Sequence, residues 1–410
     1  MTSALFVGDN GDGKSTVLRC LAMGLCDSSS ASALFRELSG PIVRHAPDRP
    51  PPSAGAKGDI KIYLDSGDGS IYEIHTEIET VKNSEQVTQK LWKMDGDKPK
   101  EEVEQQEFPW DRVFVAAYGP GLRTNGTKDY PRYQAVDAVY PLFAYDQPLQ
   151  NPELIIRRLI AAARGRARTA KDKDDAEHLI LESIQVLMKE LLRLDSPEDF
   201  LLTDTGLKVK GSWGVEGLSQ LGDGFQSTIT WVLDLISWWF LRESANQSST
   251  WEIESIEGIV IIDEIEQHLH PKWQHRILHS LRETLPNIQF VVATHSPLVA
   301  SSSKDVAVHQ FREGQLLDPI QIYGWLPESV YRFMGLPDPR SIELQERTLH
   351  RYKELDLKKI EGTASQPEIE EWKGLNNFLI TLLPEGDPIR LSLDVAGIVE
   401  SLKAQREDTK

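Results

Sequence analysis

The sequence contains little cysteine, and this scarcity excludes several classes of protein. Only Cys20 and Cys26 occur among 410 residues, and neither their spacing nor nearby histidines form a metal-binding set. A disulfide-stapled secreted domain and a cysteine-based zinc site are therefore excluded. The first residues also lack the basic segment and apolar stretch of a secretory signal. We therefore expect a reducing, cytoplasmic location.

Positive charge and long apolar runs are also scarce. The chain has 45 lysines and arginines against 63 aspartates and glutamates, which gives a net charge of −18. Such a chain has no general attraction for a phosphate backbone, so any contact with nucleic acid needs a local basic patch. The longest apolar run, Ile229 to Leu241, is shorter than the roughly 18 residues that span a bilayer, and Asp234 interrupts it. We interpret it as a core helix and expect no membrane contact.

What the sequence does contain is an alternation of strand and helix patterns. Residues 258–262 and 288–293 are continuous apolar runs, which are typical of strands covered on both faces in a parallel sheet. Between them, residues 271–285 have helical periodicity. A third short apolar strand is predicted at residues 4–7. The core is therefore predicted to be α/β.

Other segments indicate how this core is divided. Residues 59–64 and 70–78 alternate apolar and polar positions around a turn, which predicts an antiparallel sub-sheet. Residues 149–194 carry apolar positions three and four apart, which predicts an inserted helical subdomain, whereas residues 83–106 are polar and expected to be exposed. We predict four parts: a first part of the core (1–148), the helical insertion (149–215), a second part of the core (216–318) and a charged, mainly helical region (319–410).

A glycine-rich loop follows the first strand and precedes a helix. Its residues 8–15, GDNGDGKS, fit the pattern G-x-x-x-x-G-K-[ST] in the context that a phosphate-binding loop requires. Glycines let successive backbone N–H groups curl around a β-phosphate, whereas a simple helix cap is the alternative interpretation. Lys14 is predicted to reach the β- and γ-phosphates, and the Ser15 hydroxyl to ligate Mg²⁺. The predicted nucleotide-binding residues here are Asn10, Gly11, Gly13, Lys14, Ser15 and Thr16.

Two further motifs follow predicted strands. Asp263 and Glu264 end the first of the long apolar runs, and His295 follows the second within the segment Thr-His-Ser-Pro. The carboxyl ends of parallel strands meet at one edge of a sheet, so sheet order can bring these residues to the phosphate loop. We predict Asp263 as the metal residue, Glu264 as the general base and His295 as a donor to the γ-phosphate. A solvated acidic turn and a structural histidine are the alternatives.

Together these motifs resemble the ATP-binding cassette (ABC) ATPases of the RecF, SMC and OLD type. The resemblance covers about residues 4 to 310 and includes Glu-Gln-His-Leu-His-Pro at 266–271. Within that branch the chain is most similar to the AAA-like ATPases of bacterial anti-phage systems, such as the ATPase subunits of Septu and related retron systems. The resemblance implies an ABC-type core with a mixed or parallel sheet around the phosphate loop, and ATP and Mg²⁺ as cofactors.

The family also has a signature loop that reaches across a dimer to the other subunit's γ-phosphate. Residues 218–227, LSQLGDGFQS, are similar to it, which implies roles for Ser219, Gly222 and Gly224 and predicts a homodimer or a higher oligomer. Gly222 stands where serine is usual, so a reduced turnover is expected. A second departure is that only a short stretch precedes Lys14, where family members place strands that support the adenine.

One basic cluster occurs in this acidic chain. It is a candidate contact for DNA, RNA or an acidic partner, although a solvated face is the more ordinary interpretation of such a run. Its members are Arg157, Arg158, Arg164, Arg166, Arg168, Lys171 and Lys173.

The resemblance implies an ATPase that dimerises around ATP and Mg²⁺ and gates a nucleic-acid-directed partner, such as a nuclease of anti-phage defence. A nucleotide-gated scaffold with slow hydrolysis and a DNA repair or maintenance ATPase are the alternatives. A membrane importer is disfavoured, because the signature lies too far before Asp263. The segment Glu385-Gly386-Asp387 superficially resembles a nuclease metal motif, but too few residues follow it for another domain. We therefore expect any nuclease to be a separate chain.

Overall fold

A computed structural model gives the architecture of most of the chain, in two compact units of residues 1–336 and 337–410. Among the described residues, no helix is both long enough and apolar enough to cross a lipid bilayer. The described residues are 3–9, 11–38, 57–66, 69–81, 84–96, 98–120, 129–144, 147–166, 169–245, 253–312, 314–335, 343–383, 387 and 389–395.

Strands and helices alternate along the first unit, and the described part of the second unit is helical. The strands are β1 (Ala4–Val7), β2 (Lys57–Asp65), β3 (Ile71–Val81), β4 (Ser84–Asp95), β5 (Lys98–Val103), β6 (Val115–Tyr118), β7 (Phe200–Thr203), β8 (Gly206–Gly211), β9 (Gly214–Gly217), β10 (Gly258–Ile262), β11 (Ile288–Ala293), β12 (Ala307–Arg312) and β13 (Gln315–Leu316). The helices are α1 (Lys14–Gly24), α2 (Ser28–Glu37), α3 (Ala135–Val139), α4 (Pro152–Arg166), α5 (Ala170–Leu192), α6 (Asp223–Ala245), α7 (Pro271–Gln274), α8 (Ile277–Thr284), α9 (Pro297–Ser302), α10 (Pro327–Phe333), α11 (His350–Ile360) and α12 (Gln366–Leu382).

A six-stranded sheet forms the centre of the first unit, in the order β13-β12-β1-β11-β10-β6. The five strands from β12 to β6 are parallel, and β13 pairs with β12 in the antiparallel direction. The predicted α/β class with a mixed sheet is therefore confirmed. Because β11 lies between β1 and β10, one strand separates the strand that leads into the phosphate loop from the strand that leads into the acidic pair.

Helices cover both faces of this sheet. Along β1, Leu5 and Val7 point into an apolar cluster formed with α4, α5, α6 and α8. Phe6 points the opposite way, into a cluster with Leu18 of α1 and Leu34 of α2. This alternation is what an extended strand imposes, and burial on both faces explains why the central strands are continuous apolar runs.

The predicted antiparallel sub-sheet is present, with β2 and β3 paired from Lys57↔Glu79 to Asp65↔Ile71. It continues through β4 and β5, which lie within residues 83–106, the polar segment that was expected to be exposed. The strand pattern is weak in this segment because only one face of β4 is apolar. Leu91 is fully buried, whereas Lys90 points to solvent.

The inserted region contains the two predicted helices, α4 and α5. Thr169 and Asp172 form a capping box at the start of α5, in which each side chain accepts from the other residue's backbone N–H. Residues 200–217 differ from the helical prediction, because β7, β8 and β9 form a three-stranded antiparallel sheet there. These strands are only four to six residues long, which is too short for a clear alternating pattern.

The division of the chain falls after residue 336, later than the predicted start of the C-terminal region at residue 319. Val330 and Met334 explain this position, because both belong to the main apolar cluster of the first unit. The second unit has its own cluster, which includes Leu349, Tyr352 and Leu379.

Candidate nucleotide-binding site

The loop after β1 has the backbone shape that the motif predicts. Gly13 caps α1 in the left-handed region, with φ of 106°, which only glycine adopts without strain. Gly8 also has a positive φ, and a side chain there would lie 2.5 Å from the carbonyl oxygen of Phe311. Ser15 and Thr16 follow in the first turn of α1 and are half-buried. Asn10 lies outside the described residues.

Lys14 is held in the middle of this loop by two backbone carbonyls. Its Nζ donates hydrogen bonds of 2.9 Å to the carbonyl oxygens of Gly8 and Asp9, and the side chain is almost fully buried. Burial lowers the pKa of the Lys14 ammonium, and the charges of Asp12, Asp263, Asp9 and Glu264 oppose this shift. The structure therefore places Lys14 within electrostatic range of both predicted acidic residues.

Asp263 and Glu264 directly follow β10. Asp263 is buried, and its backbone N–H donates to the carbonyl of Tyr118 on the neighbouring strand at 2.9 Å. Glu264 has a left-handed backbone with φ of 50°, which costs a non-glycine residue about 1 kcal/mol. The chain therefore leaves the strand direction at Glu264.

His295 lies at the same edge, after β11. Burial is the main cause that lowers the pKa of His295, and the positive charge of Lys14 adds to it. The carboxylates of Glu266, Asp263 and Asp9 oppose this shift. The structure thus brings Lys14, Asp263 and His295 together, as the order of the strands predicts, and it favours a neutral imidazole at pH 7.

Glu266 links the segment after β10 to the segment after β11 by hydrogen bonds, a role that was not predicted from the sequence. Its carboxylate accepts 2.6 Å hydrogen bonds from the Thr294 hydroxyl and from the backbone N–H of His295. Two charge-assisted bonds of this length hold the His295 segment against the turn after β10. The signal was present in the sequence, since Glu266 belongs to the family motif, but a motif position does not disclose its partners.

The signature residues occupy a different part of the surface. Ser219 and Gly222 are exposed, in and just after a 3₁₀ turn of residues 218–220, and α6 begins at Asp223. A cavity of about 530 Å³ borders Gly222 and Gly224, and no described residue of the phosphate loop lines it. The structure therefore does not bring Ser219, Gly222 and Gly224 to the phosphate loop of the same chain.

Gly224 fixes the signature loop against the turn after β10. A side chain at Gly224 would lie 2.5 Å from the backbone oxygen of His268, so the two backbones are in direct contact. His268 itself has a left-handed φ of 64°. Position 224 therefore has no room for a side chain, because the turn that carries Glu264 and Glu266 lies against it.

The predicted basic cluster is largely neutralised where the structure describes it. Arg157 pairs with Glu153 at 2.9 Å, Arg164 pairs with Glu177 at 2.8 Å, and Arg158 pairs with Asp129. Lys171 and Lys173 are exposed on α5. Arg168 and the side chain of Arg166 lie outside the described residues, so the predicted contact with nucleic acid stays a prediction.

The predicted metal residues do not form a closed metal cage. Within the described ranges, no group of three His, Cys, Asp or Glu side chains is placed to hold a metal ion. The hydroxyl of Ser15 and the carboxylate of Asp263 are oxygen ligands of the kind that Mg²⁺ takes when phosphates supply the others, and their role as metal ligands stays a prediction. In the C-terminal unit, Glu385 and Gly386 lie outside the described residues, and Asp387 accepts from the backbone N–H of Ile389 at 2.8 Å.

Comparison with known proteins gives a family match over most of the chain. The AAA_21 family model, described as "AAA domain, putative AbiEii toxin, Type IV TA system", matches residues 3–301. The Septu protein PtuA of Bacillus mycoides is 25% identical over 294 residues, which are 72% of this chain and 34% of that protein. The Escherichia coli protein named "Retron Ec83 probable ATPase" is 36% identical over 120 residues, 27% of this chain and 22% of its own length.

The chain thus spans well under two thirds of the length of these curated relatives. Among solved structures, an SMC head bound to a domain of ScpA is similar, with a TM-score of 0.40 and 14% identity over 78% of this chain and 90% of that one. The family match and the names of the relatives confirm the predicted resemblance to AAA-like ATPases of the Septu and retron anti-phage systems.

Proposed function

The chain belongs to the AAA_21 family of AAA domains, and on that premise we propose that it hydrolyses ATP and dimerises around ATP and Mg²⁺. We further propose that it gates a nucleic-acid-directed partner in anti-phage defence, such as a nuclease. The observation that carries the proposal is the convergence of Lys14, Asp263 and His295 at the carboxyl edge of three adjacent parallel strands.

Each residue at this edge has a distinct task in the proposed reaction. Lys14 exchanges its loop carbonyls for phosphate oxygens, and Ser15 and Asp263 would hold Mg²⁺, which would neutralise phosphate charge. Glu264 accepts a proton from the attacking water. His295, neutral at pH 7, donates one ring N–H toward the γ-phosphate, from a segment that Glu266 holds through the backbone N–H of His295.

The proposed dimer follows from the position of the signature loop. Ser219, Gly222 and the amino end of α6 can bind an anion, yet they are exposed and away from the loop of their own chain. In a head-to-tail homodimer they complete the partner copy's site, so ATP stabilises the assembly.

A scaffold with slow hydrolysis is the second candidate, and Gly222 favours it. The position lacks the serine hydroxyl that is usual in the family, although a side chain there would meet no atom within 4 Å. The substitution Gly222→Ser therefore fits, and we expect it to raise the ATP turnover rate several-fold. A turnover that stays unchanged in Gly222→Ser would argue that this position does not limit the rate.

The proposed partner is supported by the names of the relatives, which are Septu and retron proteins. Purified protein alone is expected to hydrolyse ATP slowly and to leave plasmid DNA intact with Mg²⁺ or Mn²⁺. Cleavage that survives Lys14→Ala but is lost in Asp387→Ala would mean that the chain carries its own nuclease site. A DNA repair or maintenance role would instead give turnover that responds to DNA without any partner.

The decisive experiment for ATP binding is a calorimetric titration of Lys14→Ala. Loss of the charge-assisted contacts to two phosphates is expected to weaken ATP binding by about a hundredfold or more. Lys171→Ala, which removes an exposed lysine from α5, is the matched control and should bind like the wild type. An unchanged affinity in Lys14→Ala contradicts the assignment of the phosphate loop.

A further inference from the structure

A buried carboxylate lies in the middle of the signature helix. Asp234 of α6 is 1% exposed, and its two oxygens accept four hydrogen bonds. The donors are the Tyr118 hydroxyl at 3.0 Å, the Trp238 indole at 2.9 Å, and the backbone and side-chain N–H groups of Gln150, both at 3.1 Å. The Gln150 oxygen in turn accepts from the Ser237 hydroxyl at 3.1 Å.

This arrangement is costly for a helix that only has to pack. Burying a carboxylate is costly even when it is hydrogen-bonded, whereas an apolar side chain in the core carries no such cost. Despite the four donors, burial raises the pKa of Asp234 to about 6. A buried polar network that costs stability is a candidate for a functional role.

Tyr118 connects this network to the nucleotide site. It is the last residue of β6 and lies opposite Ile262, the last residue of β10. Its carbonyl oxygen accepts from the backbone N–H of Asp263 at 2.9 Å, while its hydroxyl donates to Asp234. One residue therefore contacts both the predicted metal residue and the signature helix.

Helix α6 extends from Asp234 back to the signature loop at its amino end. Asp234 lies about three turns, or roughly 16 Å, from the first residue of α6, Asp223. The amino end of α6 is held separately, because Gly224 lies against the backbone of His268. A displacement of α6 at Asp234 therefore changes the tilt of its amino end relative to the turn at His268.

We propose that the hydrogen bond between Tyr118 and Asp234 couples the chain's own nucleotide site to the signature loop that it offers to a second copy. Tyr118 and Asp234 are positioning residues, which contact no nucleotide. The proposal rests on the proposed ATPase function.

The test compares ATP turnover and ATP affinity in Tyr118→Phe, Asp234→Asn and the double variant. Each single variant is expected to lower kcat about tenfold, while the ATP affinity stays within about twofold of the wild type. The double variant is expected to be no slower than the slower single variant, because the two residues act through one hydrogen bond. If Asp234→Asn fails to fold, Tyr118→Phe alone decides.

Tyr133→Phe is the matched control. The Tyr133 side chain is half-buried, and its hydroxyl also bonds to β6, where it donates to the Val115 carbonyl and accepts from the Val115 N–H, both at 3.0 Å. Because these bonds do not reach α6, kcat should not change. An equal loss in Tyr133→Phe, wild-type turnover in Tyr118→Phe, or additive losses in the double variant would overturn the coupling.

Lys14→Ala separates the two proposals. If wild-type turnover does not exceed that of Lys14→Ala, the ATPase proposal fails and the coupling fails with it. If wild-type turnover exceeds it and Tyr118→Phe matches the wild type, only the coupling fails.

Discussion

The phosphate-loop edge and the signature loop differ in how much of a binding site each one contains. At the edge, the charge of Asp263 acts on Lys14, the charges of Lys14 and Asp263 act on His295, and Glu266 holds the histidine segment in place. At the signature, Ser219 and Gly222 face solvent, and Gly224 lies in direct backbone contact with the turn at His268. One region is preorganised within the chain, and the other, in the dimer proposed above, completes the site of a second copy.

Removing the proposed general base tests the edge most severely. Glu264→Gln is expected to lower kcat at least about a hundredfold, because the amide cannot accept the proton of water. The same variant should accumulate as an ATP-bound dimer, measured by light scattering with and without ATP. A monomer under both conditions contradicts the dimer, and equal assembly of wild type and variant favours the scaffold.

Gly224→Ala tests the signature alone. Its methyl group would meet the His268 oxygen at 2.5 Å, so α6 must move at its start. We expect a loss of ATP-dependent dimerisation of about tenfold or more, while ATP affinity at the phosphate loop is retained. Loss of ATP binding by Gly224→Ala monomers would show that the two regions are not separable.

Glu266→Gln tests the link between motifs at the edge. The neutral amide lacks the charge that strengthens both bonds, so the His295 segment is held less firmly and kcat is expected to fall several-fold. Because the Glu266 charge raises the pKa of His295, the variant should lower that pKa further, as measured by NMR. Glu283→Gln, on the exposed side of α8, is the control and should change neither quantity.

The smallest expected effect concerns pH and Asp234, between the two regions. Its pKa in the folded chain, about 6, lies above the ordinary 3.8, so its protonated form is favoured by folding. The protonated form of Asp234 therefore adds to the free energy of unfolding. This contribution is complete below about pH 4 and is lost as pH rises through 6. Relative to Asp234→Asn, the wild-type melting temperature should therefore fall by a few degrees between pH 4.5 and 8. A difference that is independent of pH contradicts the raised pKa.

Most of the edge could be predicted from the sequence, since strand, loop and helix follow one another around Lys14 and the apolar runs end in Asp263 and His295. The roles of Glu266 and Tyr118 could not, because they depend on contacts between segments far apart in the chain. Strands β4 and β7–β9 were missed for another reason. They are half-polar or very short. A periodic pattern can be recognised only in a segment that is long enough and that alternates clearly between apolar and polar residues.

The position of β1 also bears on how the protein is made. Its two neighbours in the sheet are β11 and β12, near residues 290 and 310, so the phosphate-loop strand has no partner until most of the first unit has left the ribosome. At about 5–20 residues per second, that delay is on the order of tens of seconds, during which an apolar strand is exposed. Competence to bind nucleotide thus arises late in synthesis, and a shortened translation product that stops before β11 should remain unable to bind ATP.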